Sequence, residues 1–164
     1  MEFEQGILEE MERKLCIIAD FIEDDEAKCQ VYPASADFDL PTLVLQVPVD
    51  EGETPRTVLM NFVPLPEGGE YTDFIQFYLE FPFDLSGRKE ADLLKDVDKL
   101  NRQLPLGHIM TLAPRPDHKY KTMIGMRYMY ALSKEREIDD GNLLEALMLF
   151  LLSSDGVEME FFSE

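Results

Sequence analysis

Histidine and cysteine are the side chains with which this sequence could hold a metal ion or form a covalent intermediate, and the chain has few of them. It contains two cysteines, Cys16 and Cys29, and two histidines, His108 and His118. A zinc site needs three or four ligands, usually in closely spaced pairs. No two of these four residues are spaced in that way, so we expect no metal site.

Nucleophilic catalysis also finds little support in the sequence. A cysteine nucleophile needs a neighbouring base, whereas Cys16 lies between Leu15 and Ile17 on the apolar side of a predicted helix. We expect both thiols to be reduced and buried as small apolar groups. The chain contains no HExxH, CxxC, GxSxG, P-loop or GxGxxG motif. We therefore predict a protein without catalytic residues and without a cofactor.

Two charged segments allow alternative interpretations. The acidic run at residues 23–26 resembles a site for a hard cation, but it lacks the alternating oxygen ligands and the glycine turn of a calcium loop. We prefer a solvated helix end. Residues 115–121 form a basic island in an acidic chain. They could contact an anion or a partner at the tip of a hairpin, or they could form an exposed polar turn, which we prefer.

The charge of the chain argues against several classes of partner. Thirty-four acidic residues against 15 basic ones give a formal net charge of −19, which repels nucleic-acid phosphates and anionic lipid surfaces. No apolar run approaches the roughly 20 residues of a membrane span. The start of the sequence lacks the basic region and the apolar core of a signal peptide. We expect a cytoplasmic protein that binds neither nucleic acid nor membrane.

The first half of the chain changes from helical to strand periodicity. Apolar residues at helical spacing predict a helix over residues 3–23. Alternating apolar and polar residues then predict strands, and short acidic connectors containing Gly and Pro join them as antiparallel hairpins. The predicted strands lie at residues 28–32, 43–49, 58–62 and 72–83.

The second half returns to helical spacing and then repeats both patterns. A helix over residues 87–104, with Ser86 as its N-cap, is followed by strands at 108–112 and 120–132 that are joined by the turn at 114–118. Asp139 or Asp140 caps a last helix. The order α-β-β-β-β-α-β-β-α predicts the α+β class, with one domain over residues 1–164 and an antiparallel sheet of five or six strands.

The last predicted helix is the most unusual element. Residues 143–152 are apolar around almost the whole circumference, whereas a helix on the surface of a domain normally has one apolar stripe. Such a helix needs cover on nearly every side, from its own domain, from a second copy or from a client protein.

The strands at 72–83 and 120–132 also carry apolar and aromatic residues on both faces. Core packing and a partner-facing sheet both explain these positions, whose composition is that of an interface. We predict a homodimer, or contact with a client or regulatory partner, through a strand face, the last helix or both. The candidate interface residues are Phe74, Tyr78, Met123, Arg127, Met129, Leu147, Phe150 and Leu151.

Residues 100–112 suggest a family. Their sequence, Leu-Asn-Arg-Gln-Leu-Pro-Leu-Gly-His-Ile-Met-Thr-Leu, resembles the YbjN-type proteins, which belong to a superfamily similar to type III secretion chaperones. The resemblance covers residues 88–152. It implies a twisted antiparallel sheet with helices packed against it, no catalytic residues and frequent homodimers. The acidic connector at 33–41 and the apolar tail at 157–162 depart from this pattern.

Three functions remain open at this point. The first is a non-enzymatic regulatory or adaptor protein with a YbjN-like fold, which we prefer. The second is a cytosolic secretion chaperone, which in the resembling superfamily holds an unfolded segment of an effector on apolar grooves. The third is a small enzyme whose site is assembled from Asp, Glu and Tyr without a motif. Converging carboxylates in a surface pocket would favour the enzyme.

Overall fold

A computed structural model describes residues 3–23, 27–48, 56–65, 70–81, 84–113, 116, 122–132 and 140–162. The predicted order of helices and strands is confirmed. The helices are α1 (Gln5–Ile22), α2 (Glu90–Asn101) and α3 (Asp140–Phe162). The strands are β1 (Lys28–Tyr32), β2 (Thr42–Val47), β3 (Arg56–Pro64), β4 (Tyr71–Phe81), β5 (His108–Leu112) and β6 (Met123–Ala131).

The six strands form an open antiparallel sheet in the order β1-β2-β3-β4-β6-β5. Leu45 of β2 pairs with Cys29 of β1 and with Val58 of β3, and Ile109 of β5 pairs with Met126 of β6. The predicted α+β class with an antiparallel sheet and three helices is therefore confirmed.

Contacts within the chain group its residues into two compact units. The first comprises Met1–Phe77 and Met129–Ala146, and the second comprises Tyr78–Tyr128 and Leu147–Glu164. The strands β4 and β6 and the helix α3 contribute residues to both units.

In the first unit, helix α1 covers one face of the hairpin strands. It packs against β1 and β2, because its apolar residues recur at helical spacing and form one stripe. The buried residues of α1 are Met11, Leu15, Ile18, Ala19 and Ile22. In the sheet, alternation of side chains buries one face of each strand. The buried strand residues of this unit include Leu43, Leu45, Val58, Met60, Phe62, Ile75 and Phe77.

Lys14 links α1 to the sheet in the first unit. Its ammonium donates a hydrogen bond to the hydroxyl of Tyr71 at 2.7 Å, lies 5.7 Å from the ring centre of Phe62 and pairs with Glu10 at 3.3 Å. Burial opposes the charge, but the hydrogen bond to Tyr71 and the carboxylate of Glu10 outweigh it, so the pKa of Lys14 is raised. A charged group held over aromatic rings in this way fixes the position of the helix on the sheet.

In the second unit, a side chain takes the place of a strand partner. Asn101, at the end of α2, accepts a hydrogen bond from the backbone N–H of Ile109 at 2.8 Å and donates its amide to the carbonyl of the same residue at 3.1 Å. The strand β5 therefore has α2 packed against it. Gly107, just before β5, has a φ of 77°, and a Cβ there would lie 2.8 Å from the carbonyl oxygen of Arg127.

Three details of the sequence prediction are wrong. Ser86 is not the N-cap of α2, because it lies in a turn where its N–H donates to the carboxylate of Asp84, and the helix begins at Glu90 with Lys89 at the N-cap. The second detail is the apolar stripe of α2. Helical spacing in the sequence selects Leu94, Val97 and Leu100, but the buried residues are Leu93, Val97 and Leu100, and Leu94 is exposed.

The third wrong detail is the length of the last helix, which extends to Phe162 rather than ending near residue 152. The apolar residues at 157–162 are therefore the end of α3. The connector at 33–41 contains a turn in which the hydroxyl of Ser35 accepts the N–H of Asp37. The acidic run at 24–26, the turn at 114–118 apart from Pro116, and the cap at Asp139 lie outside the described residues.

We predict that Gly107→Ala lowers the free energy of unfolding by about 1–3 kcal/mol, because the positive φ is strained for alanine and the new Cβ meets backbone. Gly87→Ala is the matched control, since a Cβ at Gly87 has nothing within 4 Å, and it should change stability by less than about 0.5 kcal/mol. Urea denaturation of both variants measures this. Equal losses in the two variants would contradict the prediction.

Candidate functional site

One side of α3 leaves large apolar side chains exposed in the second unit. Met148, Leu152 and Met159 retain 64%, 62% and 68% of their accessible surface, and Leu149 is also exposed. We call these four residues the α3 ridge. At 100° per residue they lie on one arc of the helix, on which the exposed residues Asp155 and Gly156 separate Leu152 from Met159. Single exposed apolar residues are ordinary on protein surfaces, but contiguous ones mark contact sites.

The opposite side of α3 is buried, and this orients the ridge. In the second unit the buried side chains of α3 are Leu147, Phe150, Ser153, Ser154, Val157 and Phe161. The hydroxyl of Ser154 donates to the carbonyl of Leu151 at 2.6 Å, whereas the hydroxyl of Ser153 has no hydrogen-bond partner among the described residues. The chain thus covers only one side of this helix, not nearly all of it.

Arg88 holds the end of α3 in place. Its guanidinium donates to the carbonyl of Phe161 at 2.9 Å, lies 5.5 Å from the ring centre of Phe161, and is 3.5 Å from the carboxylate of Asp96. A cation at the C-terminal end of a helix satisfies a carbonyl that has no intrahelical partner and stabilises the helix dipole. These contacts fix the rotation of α3 and so determine which residues form the ridge.

The ridge is framed by acidic residues. Helix α3 has five carboxylates and no Lys, Arg or His in its sequence. Asp155 and Glu160 are exposed and share the arc of the ridge. Glu160 forms no ion pair with any other described residue. The surface therefore combines methionine and leucine with the exposed carboxylate of Glu160, which has no ion pair among the described residues.

The predicted interface residues separate into three groups. Phe74 and Met129 are exposed, at 44% and 41%, and both belong to the first unit. Tyr78, Arg127 and Leu151 are half-buried. Met123, Leu147 and Phe150 are buried inside the chain, because they point into the apolar interior, and they do not belong to an exposed surface.

The interface residues that the sequence analysis selected on α3 lie away from its exposed side. It named Leu147, Phe150 and Leu151, whereas Met148, Leu152 and Met159 are the exposed residues. A usable signal was present in the sequence. Asp155 and Glu160 lie on the same arc as these three residues, and carboxylates belong on the solvent side of a helix.

A polar cluster lies on the sheet in the second unit. The hydroxyl of Tyr78 donates to Glu80 at 2.8 Å, and its ring lies over Gly125, where a Cβ would be 3.1 Å from the hydroxyl oxygen. His108 pairs with Arg127 across β5 and β6, and Arg127 Nη2 is 3.4 Å from His108 Nε2. Arg127 Nε is buried and has no hydrogen-bond partner among the described residues.

Burial and the neighbouring Arg127 both affect how His108 titrates. Partial burial of the imidazole and the positive charge of Arg127 both lower the pKa of His108 from its ordinary value of 6.5. This places more neutral imidazole at neutral pH than a free histidine would have. A group with a lowered folded pKa binds fewer protons than the unfolded chain, so its contribution to stability is lost as the pH falls below 6.5.

We predict that NMR titration gives His108 a pKa below 6.5, and that Arg127→Gln raises this pKa. The rise should be partial, because burial is the larger of the two causes. His118→Gln, which removes the signal of the second histidine, provides the assignment. A pKa that is unchanged in Arg127→Gln would show that the charge of Arg127 does not act on the imidazole.

The two cysteines are less buried than the sequence predicts. Cys16 is exposed and Cys29 is half-buried, which corrects the expectation that both are buried. Although Cys16 is exposed, the partial burial of its thiol and the carboxylates of Glu12 and Asp20 raise the pKa of that thiol. The higher pKa reduces its thiolate fraction. Within the described ranges, no three His, Cys, Asp or Glu side chains lie close enough together to hold a metal ion.

An open groove of about 470 Å³ lies on β1 and β2 in the first unit. Among the described residues that line it, Glu23 is the one that carries a carboxylate. The residues that line it are Glu23, Lys28, Cys29, Gln30, Tyr32, Val44 and Gln46.

For the part of the chain that the structure describes, no helix combines the length and the apolar character needed to cross a membrane. Comparison with protein-family models, with curated proteins and with solved structures finds no match to this chain.

Proposed function

We propose that this is a non-enzymatic, cytoplasmic protein-binding protein that acts as a regulator or an adaptor, and that it binds its partner through the α3 ridge. The observation that carries this proposal is the exposure of Met148, Leu152 and Met159 in one strip. Burying such side chains in a complex would remove their apolar surface from water, at roughly 25 cal/mol per Å². Methionine also adapts its shape to a partner more readily than branched residues do.

The resemblance to YbjN-type proteins supports the same class of function. The element order and the antiparallel sheet are compatible with it. Within the resembling segment, Asn101 and Gly107 lie at the junction between α2 and β5 and stabilise it. The motif therefore supports a fold rather than a particular partner. A secretion chaperone that holds an effector segment on the ridge is the alternative within this superfamily.

Photo-crosslinking tests the binding function. A photoreactive amino acid placed at Leu152, in cells of the source organism, should give discrete adducts with a defined protein. The same amino acid at Lys95, which is exposed on α2, is the control for random collisions. Leu152 is exposed, so the substitution should leave the fold intact, which thermal unfolding would verify. Ridge adducts no more frequent than those at Lys95 would contradict the proposed function.

We also propose that the protein forms a homodimer through the exposed strand residues Phe74 and Met129. They lie on β4 and β6 of the first unit, and both are large apolar side chains exposed to solvent. The net charge of −19 opposes association of two copies, so the contact must be apolar. It should therefore persist at high salt.

Light scattering should give about twice the chain mass of 18.9 kDa. Met129→Asp should give monomers, because burying a carboxylate in an apolar contact costs about 2–5 kcal/mol. Leu94→Asp is the matched control, since Leu94 is exposed on α2, and it should leave the dimer intact. A wild-type mass of one chain at micromolar concentration would refute the dimer and leave the α3 ridge as the binding surface.

A further inference from the structure

We propose that the partner segment bound by the α3 ridge is a cationic amphipathic helix, with apolar residues on one side and Lys or Arg beside them. This rests on the proposed function and adds the chemical class of the partner. The argument uses the shape of the ridge, its charge, and what that charge does to other occupants.

The shape of the ridge suits a helix. Met148, Leu152 and Met159 follow one another at intervals of four and seven residues, so they form a nearly straight line along α3. At 1.5 Å per residue this line is about 16 Å long, or three helical turns. Residues at these intervals form a ridge that interdigitates with the side chains of a second helix. Leu149 widens the line into a strip that could accept apolar residues at the same intervals.

The charge of the ridge selects the sign of its partner. Asp155 and Glu160 are exposed beside it, Glu160 has no cation paired with it among the described residues, and α3 contains no basic residue. A partner that buries the ridge brings its own side chains next to these carboxylates. Lys or Arg at those positions would neutralise them, whereas Glu or Asp would add repulsion.

The same charge disfavours the other occupants. A second copy of this chain on the ridge would place two acidic helices together, with five carboxylates on each α3. An anionic lipid surface would meet the same repulsion. A segment that is apolar but neutral could still bind, yet it would leave the carboxylate of Glu160 partly desolvated and without a cation. A cationic amphipathic helix is the occupant that fits both properties.

Three synthetic peptides test the proposal with the full-length protein. Each is a helix-forming peptide of roughly 18 residues with Leu at the same intervals as the ridge, and the flanking positions are all Lys, all Gln or all Glu. Fluorescence anisotropy with labelled peptide measures binding. The Lys peptide should bind at least about tenfold more tightly than the Gln peptide, and its affinity should fall as salt is raised. The Glu peptide should not bind.

Variants of the protein separate the contributions of apolar contacts and of charge to peptide binding. Leu152→Ser and, independently, Met148→Ser should weaken binding of the Lys peptide at least about tenfold. The double variant Asp155→Asn/Glu160→Gln should weaken the Lys peptide severalfold and leave the Gln peptide unchanged. Asp20→Asn/Asp92→Asn removes the same number of exposed carboxylates from α1 and α2 and is the control for bulk charge. Thermal unfolding of every variant establishes that the fold is retained.

Each outcome bears on the proposal. Equal binding of the Lys and Gln peptides, or equal loss of affinity in the two carboxylate double variants, would overturn the choice of a cationic partner. Binding of the Lys peptide that is unaffected by both ridge variants, or no binding of any peptide, would overturn it as well. Photo-crosslinked adducts at Leu152 would in those cases still support a protein-binding function, so the two proposals fail separately.

Discussion

The structure depends on how a helix with apolar residues on nearly every side is accommodated. Helix α3 is 23 residues long, and one layer of contacts can cover only one side of a helix. The side with Phe150, Val157 and Phe161 is buried. Arg88 fixes the rotation of the helix by binding the carbonyl of Phe161. The contacts that bury this side also keep the α3 ridge on the outside of the helix, so the exposure of the ridge is a consequence of the packing.

The segment that suggested a family turns out to contain the residues that build a junction. Asn101 gives β5 the pair of backbone hydrogen bonds that a neighbouring strand would otherwise provide. Gly107 allows the chain to turn beside Arg127 where a larger residue would meet its carbonyl oxygen. Such requirements are local and geometric, so they can recur in proteins with different partners. A motif of this kind indicates fold more strongly than function.

The sequence predicts the elements well and the orientation of their side chains less well. Alternation in β4 correctly separates buried Ile75 from exposed Phe74, because a strand has only two faces. On α2, stripes through Leu93 and through Leu94 both fit a period of 3.6 residues, and only tertiary packing chooses Leu93. On α3 the uniform apolar composition removes the contrast that orients a helix. The covered side is decided by long-range contacts such as Arg88 with Phe161, which local periodicity does not contain.

Charge and apolar surface have complementary effects in this molecule. An exposed strip of methionine and leucine would by itself promote aggregation, but the net charge of −19 opposes association of two copies through the ridge. Repulsion between copies does not act on a partner of opposite sign, whose approach the same field accelerates. If the ridge binds a cationic partner as proposed, the carboxylate of Glu160, which has no ion pair with another described residue, would both oppose self-association through the ridge and discriminate among partners. Under this proposal the acidity of the chain would contribute to the specificity of the ridge in addition to its effect on solubility.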